Sequence, residues 1–301
     1  MLPALLLLLG LALAGPAWSA TREYWVVAEP ATWNVVPNGH DAVGGMEFAP
    51  EETTIRTVVY RAYTRGWKEP LRDVPWKSGD NDGIPGPLIR GRVGDTILVH
   101  FKNLDFEFER PHSMHFHGVE YAFESDGSFI PGFSGPGGNV EPGSSYTYTL
   151  RAGKRSKGVW PYHDHSPSMM ESIHGGMYGA LSILGRKERR PDKEFVVYFG
   201  SLLDFDTING RAFVGNTPVH HARVGDLVQW DVLAIGDDFH TFHVHGHRWR
   251  RGGVFEDTRT VGPAESFAVR WREDVPGEWL YHCHVEGHME HGMIGLYRVR
   301  P

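Results

Sequence analysis

Trp279-Leu-Tyr-His282-Cys283-His284 and Trp160-Pro-Tyr-His163-Asp164-His165 are two copies of one element, and their pairing decides how the rest of the chain reads. Other elements repeat around them in the same order. Arg92-Val-Gly-Asp95 returns as Arg223-Val-Gly-Asp226. Each is followed by a strand-like alternation, Ile97, Val99 and Phe101 in the first copy and Val228, Trp230 and Val232 in the second. His112-x-x-His115-x-His117-Gly118 returns as His240-x-x-His243-x-His245-Gly246, and Gly176-Met177 returns as Gly292-Met293. A shared order of this kind predicts a duplicated domain. The charged stretch 185–194, which contains Pro191, reads as the linker, so the copies span 21–188 and 189–301. Residues 57–63 read as a strand and 77–87 as a loop, but the stretch 35–90 shows no repeat partner.

Helical periodicity is scarce. Gly (37) and Pro (20) are frequent among 301 residues, and short Val/Thr/Tyr/Phe runs end at turn residues, which reads as all-β. The net charge is −7 with no basic block, so neither nucleic acid nor an anionic membrane surface is an expected partner. An apolar run over 5–14 leads to small residues at 17–20, and residues 1–20 read as a secretory signal peptide, with an uncleaved anchor as the alternative. The expected location is secreted or periplasmic, without stable membrane association. A single cysteine forms no disulfide within the chain.

Strand parity organises the histidines. Side chains alternate faces along a strand, so His115 and His117 share a face, as do His163/His165, His243/His245 and His282/His284. Four such pairs in register with a duplication point to metal. His240 and Cys283 have the opposite parity to their neighbours, so they form a second site, joined to the first through the backbone of 282–284. His288 and Met293 follow in the next loop. One Cys, two His and a weak axial Met make an electron-transfer copper set. Zinc is the rival metal, but it takes four ligands in a closed site, fewer than this chain offers. In the first copy Asp164 stands where the thiolate would be, leaving His112 and Met177 as relics of a lost site. His40, His100, His220, His221 and His247 lie outside the pattern and read as ordinary histidines, and His174 and His291 as surface or supporting ones.

With HFHG (115–118), YHDH (162–165), HTFHVHG (240–246) and HCHVEGHMEHGM (282–293), the chain resembles two-domain multicopper oxidases of the small-laccase type. The resemblance implies two tandem cupredoxin-like Greek-key β-sandwich domains. It implies about four coppers per chain, as the ligand count suggests. Type 1 copper would take His240, Cys283 and His288 with Met293 axial, and type 2 would take His115 and His243. The coupled type 3 pair would take His117, His163, His165, His245, His282 and His284. Asp126 and Tyr121 match the acid and tyrosine that the family places near type 2, for proton delivery and electron supply. Nitrite reductases share the two-domain plan but put the thiolate copper in the first domain.

The resemblance further implies one-electron oxidation of phenols or aromatic amines at type 1 and reduction of O₂ to water at the histidine cluster. It also implies a homotrimer, with each cluster shared between neighbouring chains. A metal-ion oxidase acting on Cu(I), Fe(II) or Mn(II) is the alternative, with Glu286, Met289 and Glu290 near the type 1 set. A non-catalytic copper carrier is the third reading, and it leaves the His-x-His pairs unexplained. Because Cys283 is the only thiolate available, Cys283→Ser is expected to abolish blue colour and donor oxidation while cluster copper stays bound. Visible absorption with copper counting on the purified variant checks this.

Overall fold

The computed structural model describes residues 19–71 and 83–301, and the chain within them is almost entirely β. The expected leader falls outside the described residues except for Ser19 and Ala20, and so does most of the expected loop at 77–87.

The first half supplies β1 (Thr21–Asn34), β2 (Thr54–Tyr63), β3 (Gly86–Arg92), β4 (Thr96–Asn103), β5 (His115–Phe116), β6 (Ser145–Arg151), β7 (Gly158–His163) and β8 (Tyr178–Leu184). They form two sheets, ordered β2-β1-β4-β6 and β3-β8-β7-β5. The second half supplies β9 (Lys193–Leu202), β10 (Phe205–Ile208), β11 (Val219–Arg223), β12 (Leu227–Ala234), β13 (His240–Val244), β14 (Trp249–Arg251), β15 (Val254–Glu256), β16 (Thr258–Val261), β17 (Ser266–Arg272), β18 (Gly277–Cys283) and β19 (Ile294–Arg300). Its sheets are β10-β9-β12-β17 and β11-β19-β18-β13-β16, with β14 and β15 as a separate hairpin.

Each of the eight first-half strands has a counterpart in the second half, which adds β14, β15 and β16. β1 pairs antiparallel with β2 and parallel with β4, and β9 does the same with β10 and β12. β3 runs parallel to β8 as β11 runs parallel to β19. The duplication therefore reaches into 35–90, where the sequence shows no partner: β2 answers to β10 and β3 to β11. Backbone pairing keeps the plan where the side chains have diverged, and β10 is cut to four residues against ten in β2.

Alternation places the cores. Ile97, Val99 and Phe101 of β4 enter the first-half core, and Val228, Trp230 and Val232 of β12 enter the second. A third core lies between the halves, where Tyr178 and Ala180 of β8 meet Val196 and Tyr198 of β9. The opposite faces of these strands serve their own halves, through Leu181 and Ile183 in one and Phe195, Val197 and Phe199 in the other. All seven residues of β8 are buried, as a strand covered on both faces must be. The sheets thus stack in four layers, with β3-β8-β7-β5 and β10-β9-β12-β17 in the middle.

A polar network crosses the middle seam. Arg90 donates to Glu194 Oε2 through Nε (2.8 Å) and Nη2 (2.6 Å), and Ser182 Oγ donates to Oε1 at 2.8 Å. Asp231 is fully buried on β12, and Gln229 Nε2 donates to its Oδ1 at 2.8 Å. Burial, then the neighbouring Glu194 charge, push the Asp231 carboxyl well above the ordinary range. The folded protein therefore holds this proton more tightly than the unfolded chain. The stability so gained is complete below the ordinary carboxylate value, about 4, and is lost as pH rises through the raised one. Asp231→Asn is accordingly expected to raise the melting temperature at neutral pH and to lose that advantage near about pH 4, as thermal unfolding across that range would show.

Candidate metal centre

Register builds the site. β13 and β18 pair Phe242 with Cys283, His243 with His282 and Val244 with Tyr281. Phe242, Val244, Tyr281 and Cys283 pack into the second-half core, so His243 and His282 project from the opposite face. In the first half, β5 and β7 pair His115 with His163 and Phe116 with Tyr162, and Phe116 and Tyr162 take the core side.

On the core side of β18, Cys283 Sγ lies 3.9 Å from His240 Nδ1 and 3.7 Å from His288 Nδ1, and the two nitrogens are 3.2 Å apart. The Thr241 and Val285 N–H groups point at the sulfur from 3.3 and 3.5 Å. Met293 is buried in the same core, and its carbonyl oxygen accepts the Cys283 N–H at 3.1 Å. Burial pushes the Cys283 thiol up. Burial, then His288, bring His240 down to about 4, so its imidazole is neutral near pH 7.

On the faces turned away from the two cores stand two sets of four histidines, one in each half. His115, His117 and His163 bring donor atoms within 4.8 Å of one another, as do His243, His245 and His282. His165 joins the first set with its ring 5.4 Å from that of His115, and His284 joins the second, 5.6 Å from His243. Backbone carbonyls fix the tautomers. Nδ1 of His115, His163, His243 and His282 donates to the carbonyl oxygens of Asp126, Asp164, Asp257 and Cys283 at 2.6, 2.9, 2.8 and 2.8 Å. Each Nε2 then carries the lone pair. His163 Nε2 lies 3.2 Å from His117 Nε2, and His282 Nε2 lies 3.0 Å from His245 Nε2. Burial leads in bringing His117, His163 and His282 down to about 4, so these nitrogens stay unprotonated at neutral pH. Lone pairs that converge in this way fit a bound cation. A thiolate with two imidazoles fits copper, and imidazole sets fit copper as well.

Asp126 and Tyr121 flank the first set. Asp126 Oδ1 is 3.7 Å from His115 Nδ1, and the Tyr121 ring lies 6.2 Å from that of His115. Burial raises Asp126, but the Ser128 hydroxyl and His115 outweigh it and hold the carboxyl below its usual range. The Asp126 charge adds to burial in raising Tyr121.

Some supporting residues escape sequence reasoning. His112 is fully buried, with Nε2 3.0 Å from Asp105 Oδ2 and Nδ1 3.6 Å from Asp164 Oδ2. His247 lies between the His245 carbonyl oxygen (2.7 Å from Nδ1) and Glu273 Oε1 (3.0 Å from Nε2). Glu273 is drawn down to about 2 by His247 and Tyr297, against the effect of its burial. His220 is buried in an aromatic box of Phe195, Trp230 and Tyr281. His174 and His291 are surface residues, 3.7 Å from Asp237 and 3.6 Å from Asp206 respectively.

Comparison with known proteins identifies the family. Residues 70–188 and 187–301 each match a family model described as multicopper oxidase. The chain is 28% identical over 363 residues to ferroxidase HEPHL1 of Homo sapiens, covering 97% of this chain and 30% of that protein. It is 26% identical over 347 residues to ceruloplasmin of Mus musculus, covering 93% of this chain and 31% of that protein. The chain thus spans under a third of the length of these relatives. Among solved structures, a multicopper oxidase superposes with a TM-score of 0.70 at 24% identity, covering 93% of this chain and 89% of that one. A copper nitrite reductase from Nitrosomonas europaea superposes with a TM-score of 0.66 at 20% identity, covering 93% and 94%. These likenesses bear out the expected pair of cupredoxin-like sandwiches. The chain belongs to the multicopper oxidase family.

Proposed function

We propose that the chain is a copper-dependent oxidase that passes single electrons from a donor at His240, Cys283 and His288 to O₂ at a cluster built from the eight paired histidines. One observation carries the reading: the only thiolate and an imidazole set stand back to back on β18, one peptide unit apart. Copper, when bound, supplies one-electron exchange at the sulfur site and reduction of O₂ to water at the histidine sets. Met293 would complete the sulfur site. His115 and His243 would hold a type 2 ion, and His117, His163, His165, His245, His282 and His284 the type 3 pair, giving about four coppers per chain by ligand count.

The protein's own groups have definite tasks. Cys283 gives up its proton on binding, and the Thr241 and Val285 N–H groups then stabilise the thiolate. The 282–284 backbone is the covalent link from the sulfur to two cluster histidines. Asp126, an ionised carboxylate beside His115, accepts and hands on protons, and Tyr121 stands beside it as an electron source.

We further propose that each cluster forms between chains in a homotrimer. His243, His245, His282 and His284 project from the outward face of the fourth layer. The first-half histidines lie on β5 and β7 of the second layer or just past their ends, on the face turned away from the first-half core. Sheets pack about 10 Å apart, and paired catalytic metals sit about 4 Å apart, so one chain does not close its own cluster. Exposed Phe123, Ile130 and Phe133 follow the first set, and exposed Val254 and Phe255 lie just before Asp257 at the second. A head-to-tail ring would cover both patches. No helix among the described residues is long and apolar enough to cross a membrane. The leader-like run at 5–14 supports a secreted or periplasmic location.

For the donor, aromatic compounds remain the reading drawn from the small-laccase resemblance. A metal-ion donor is favoured by two observations. The relatives include proteins named ferroxidases. In addition, His/Asp pairs flank the sulfur site: His291 beside Asp206, and His174 beside Asp237 in the loop that leads to His240. Oxygen uptake is expected with Fe(II) or Cu(I) as sole donor, and Asp206→Ala is expected to raise KM for the ion about tenfold, a loss of binding. Uptake with a phenol and none with either ion would reject the metal-ion reading, and no uptake with any donor would reject the oxidase.

Sharing of the cluster is tested by complementation. Chains with His115 and His117 changed to Ala, or with His282 and His284 changed to Ala, are each expected to be inactive alone. Co-expressed, they are expected to recover part of the activity. Mixed assemblies that form but stay inactive would refute sharing.

A further inference from the structure

The pocket that answers to the sulfur site in the first half is not empty of interactions. Position for position, the two halves keep the same backbone frame. Cys283 N–H donates to the Met293 carbonyl oxygen at 3.1 Å, and Asp164 N–H donates to that of Met177 at 3.1 Å. His284 N–H donates to Thr241 Oγ1 at 3.0 Å, and His165 N–H donates to Ser113 Oγ at 3.0 Å. What differs is the centre. Where the Thr241 N–H meets Sγ at 3.3 Å, the Ser113 N–H meets Asp164 Oδ1 at 2.7 Å. Where Val285 offers an N–H, Ser166 offers a hydroxyl to Asp164 Oδ2 at 2.7 Å. Asp105 holds His112 from behind at 3.0 Å, and accepts the Phe108 N–H at 2.9 Å. Counted from the shared Arg-Val-Gly-Asp element, the second half has Gly236 at the Asp105 position.

We propose that Asp164, hydrogen-bonded by Ser113 and Ser166 and faced at 3.6 Å by the His112–Asp105 pair, is a metal-free clamp that positions the first-half histidines, doing without an ion what the sulfur site does with one in the second half. Asp164 sits between His163 and His165, and its carboxylate grips Ser113, two residues before His115. It therefore ties the strand end bearing one His-x-His pair to the strand bearing the other. All three members of the clamp are fully buried, so removing one leaves polar partners without water or protein to satisfy them. A metal site is a poor account of the same residues. Asp105 occupies one ring nitrogen of His112, a carboxylate replaces the sulfur, and Met169 stands five residues after Asp164 where His288 stands five residues after Cys283.

The inference rests on the cluster reading, and one experiment separates the two. Asp164→Ala and Asp164→Asn are prepared in the full chain. The blue absorption of the Cys283 site reports folding, size-exclusion chromatography reports assembly, and copper counting with the type 2 spin-resonance signal reports the cluster. Asp164→Ala is expected to keep the blue band and bind cluster copper at least about tenfold more weakly, the scale of loss when a group supporting metal ligands is removed. Asp164→Asn keeps an oxygen for the Ser113 N–H and is expected to recover most of that loss. Should Asp164→Ala fail to fold, Ser166→Ala and Asp105→Asn carry the test, each expected to weaken cluster copper several-fold with the blue band intact. Unchanged cluster copper in these variants overturns the clamp. So does an additional colourless metal ion in the wild type that Asp164→Ala loses. Wild type with no cluster copper at all would instead sink the cluster reading beneath it.

Discussion

The structure depends on the two-residue period of one strand pair. Because β13 and β18 lie in register with Phe242 opposite Cys283, the sulfur and His240 fall on the core side, and His243 and His282 fall on the outer side. A shift of one residue would send the thiol to the surface and the imidazoles into a core of Trp230, Phe242 and Tyr297. The same geometry determines the environments. The sulfur side is dry, which raises the thiol, and it supplies two N–H groups where charge must be held. The outer side supplies backbone carbonyls that hold each imidazole by Nδ1 and aim Nε2 at its neighbours.

Close packing locks the strand ends. Gly118 and Gly246, which end the two His-x-His-Gly elements, both adopt φ of +72°. A Cβ on Gly118 would sit 2.0 Å from the Trp160 ring, and one on Gly246 would sit 2.8 Å from Trp279. The repeated tryptophan and the repeated glycine are thus one device, a large ring laid across a bare backbone next to the paired histidines. It explains why Trp belongs to the repeat although it carries no ligand.

Much of this was legible in the sequence because the chemistry there is local. Parity assigns His115/His117 and His243/His245 to common faces without any tertiary information, and Cys283 between two histidines announces two faces. What stayed hidden is what backbone pairing or long-range packing decides. β2 and β10 have the same place in the sheet and no residue pattern in common. His112 reads as a relic, and only the fold brings Asp105 to one side of it and Asp164 to the other. His247 reads as an ordinary histidine, and its link to the His245 carbonyl needs the turn after β13, with Glu273 arriving from beyond β17. The carbonyls of Asp126 and Asp257 carry no side-chain signature at all.

The placement of the two histidine sets on separate layers also couples metal to association. In the proposed ring, the ions are held jointly by two chains, so occupancy and assembly are one linked equilibrium. Chelators and dilution become equivalent perturbations: each shifts the balance toward lone chains that carry only half of each cluster's donors. Turnover per chain then ceases to be a constant of the molecule and depends on how much of it is present. The sulfur site, complete within one chain, escapes this dependence, so a dilute sample would keep its colour after it has lost its reaction with oxygen.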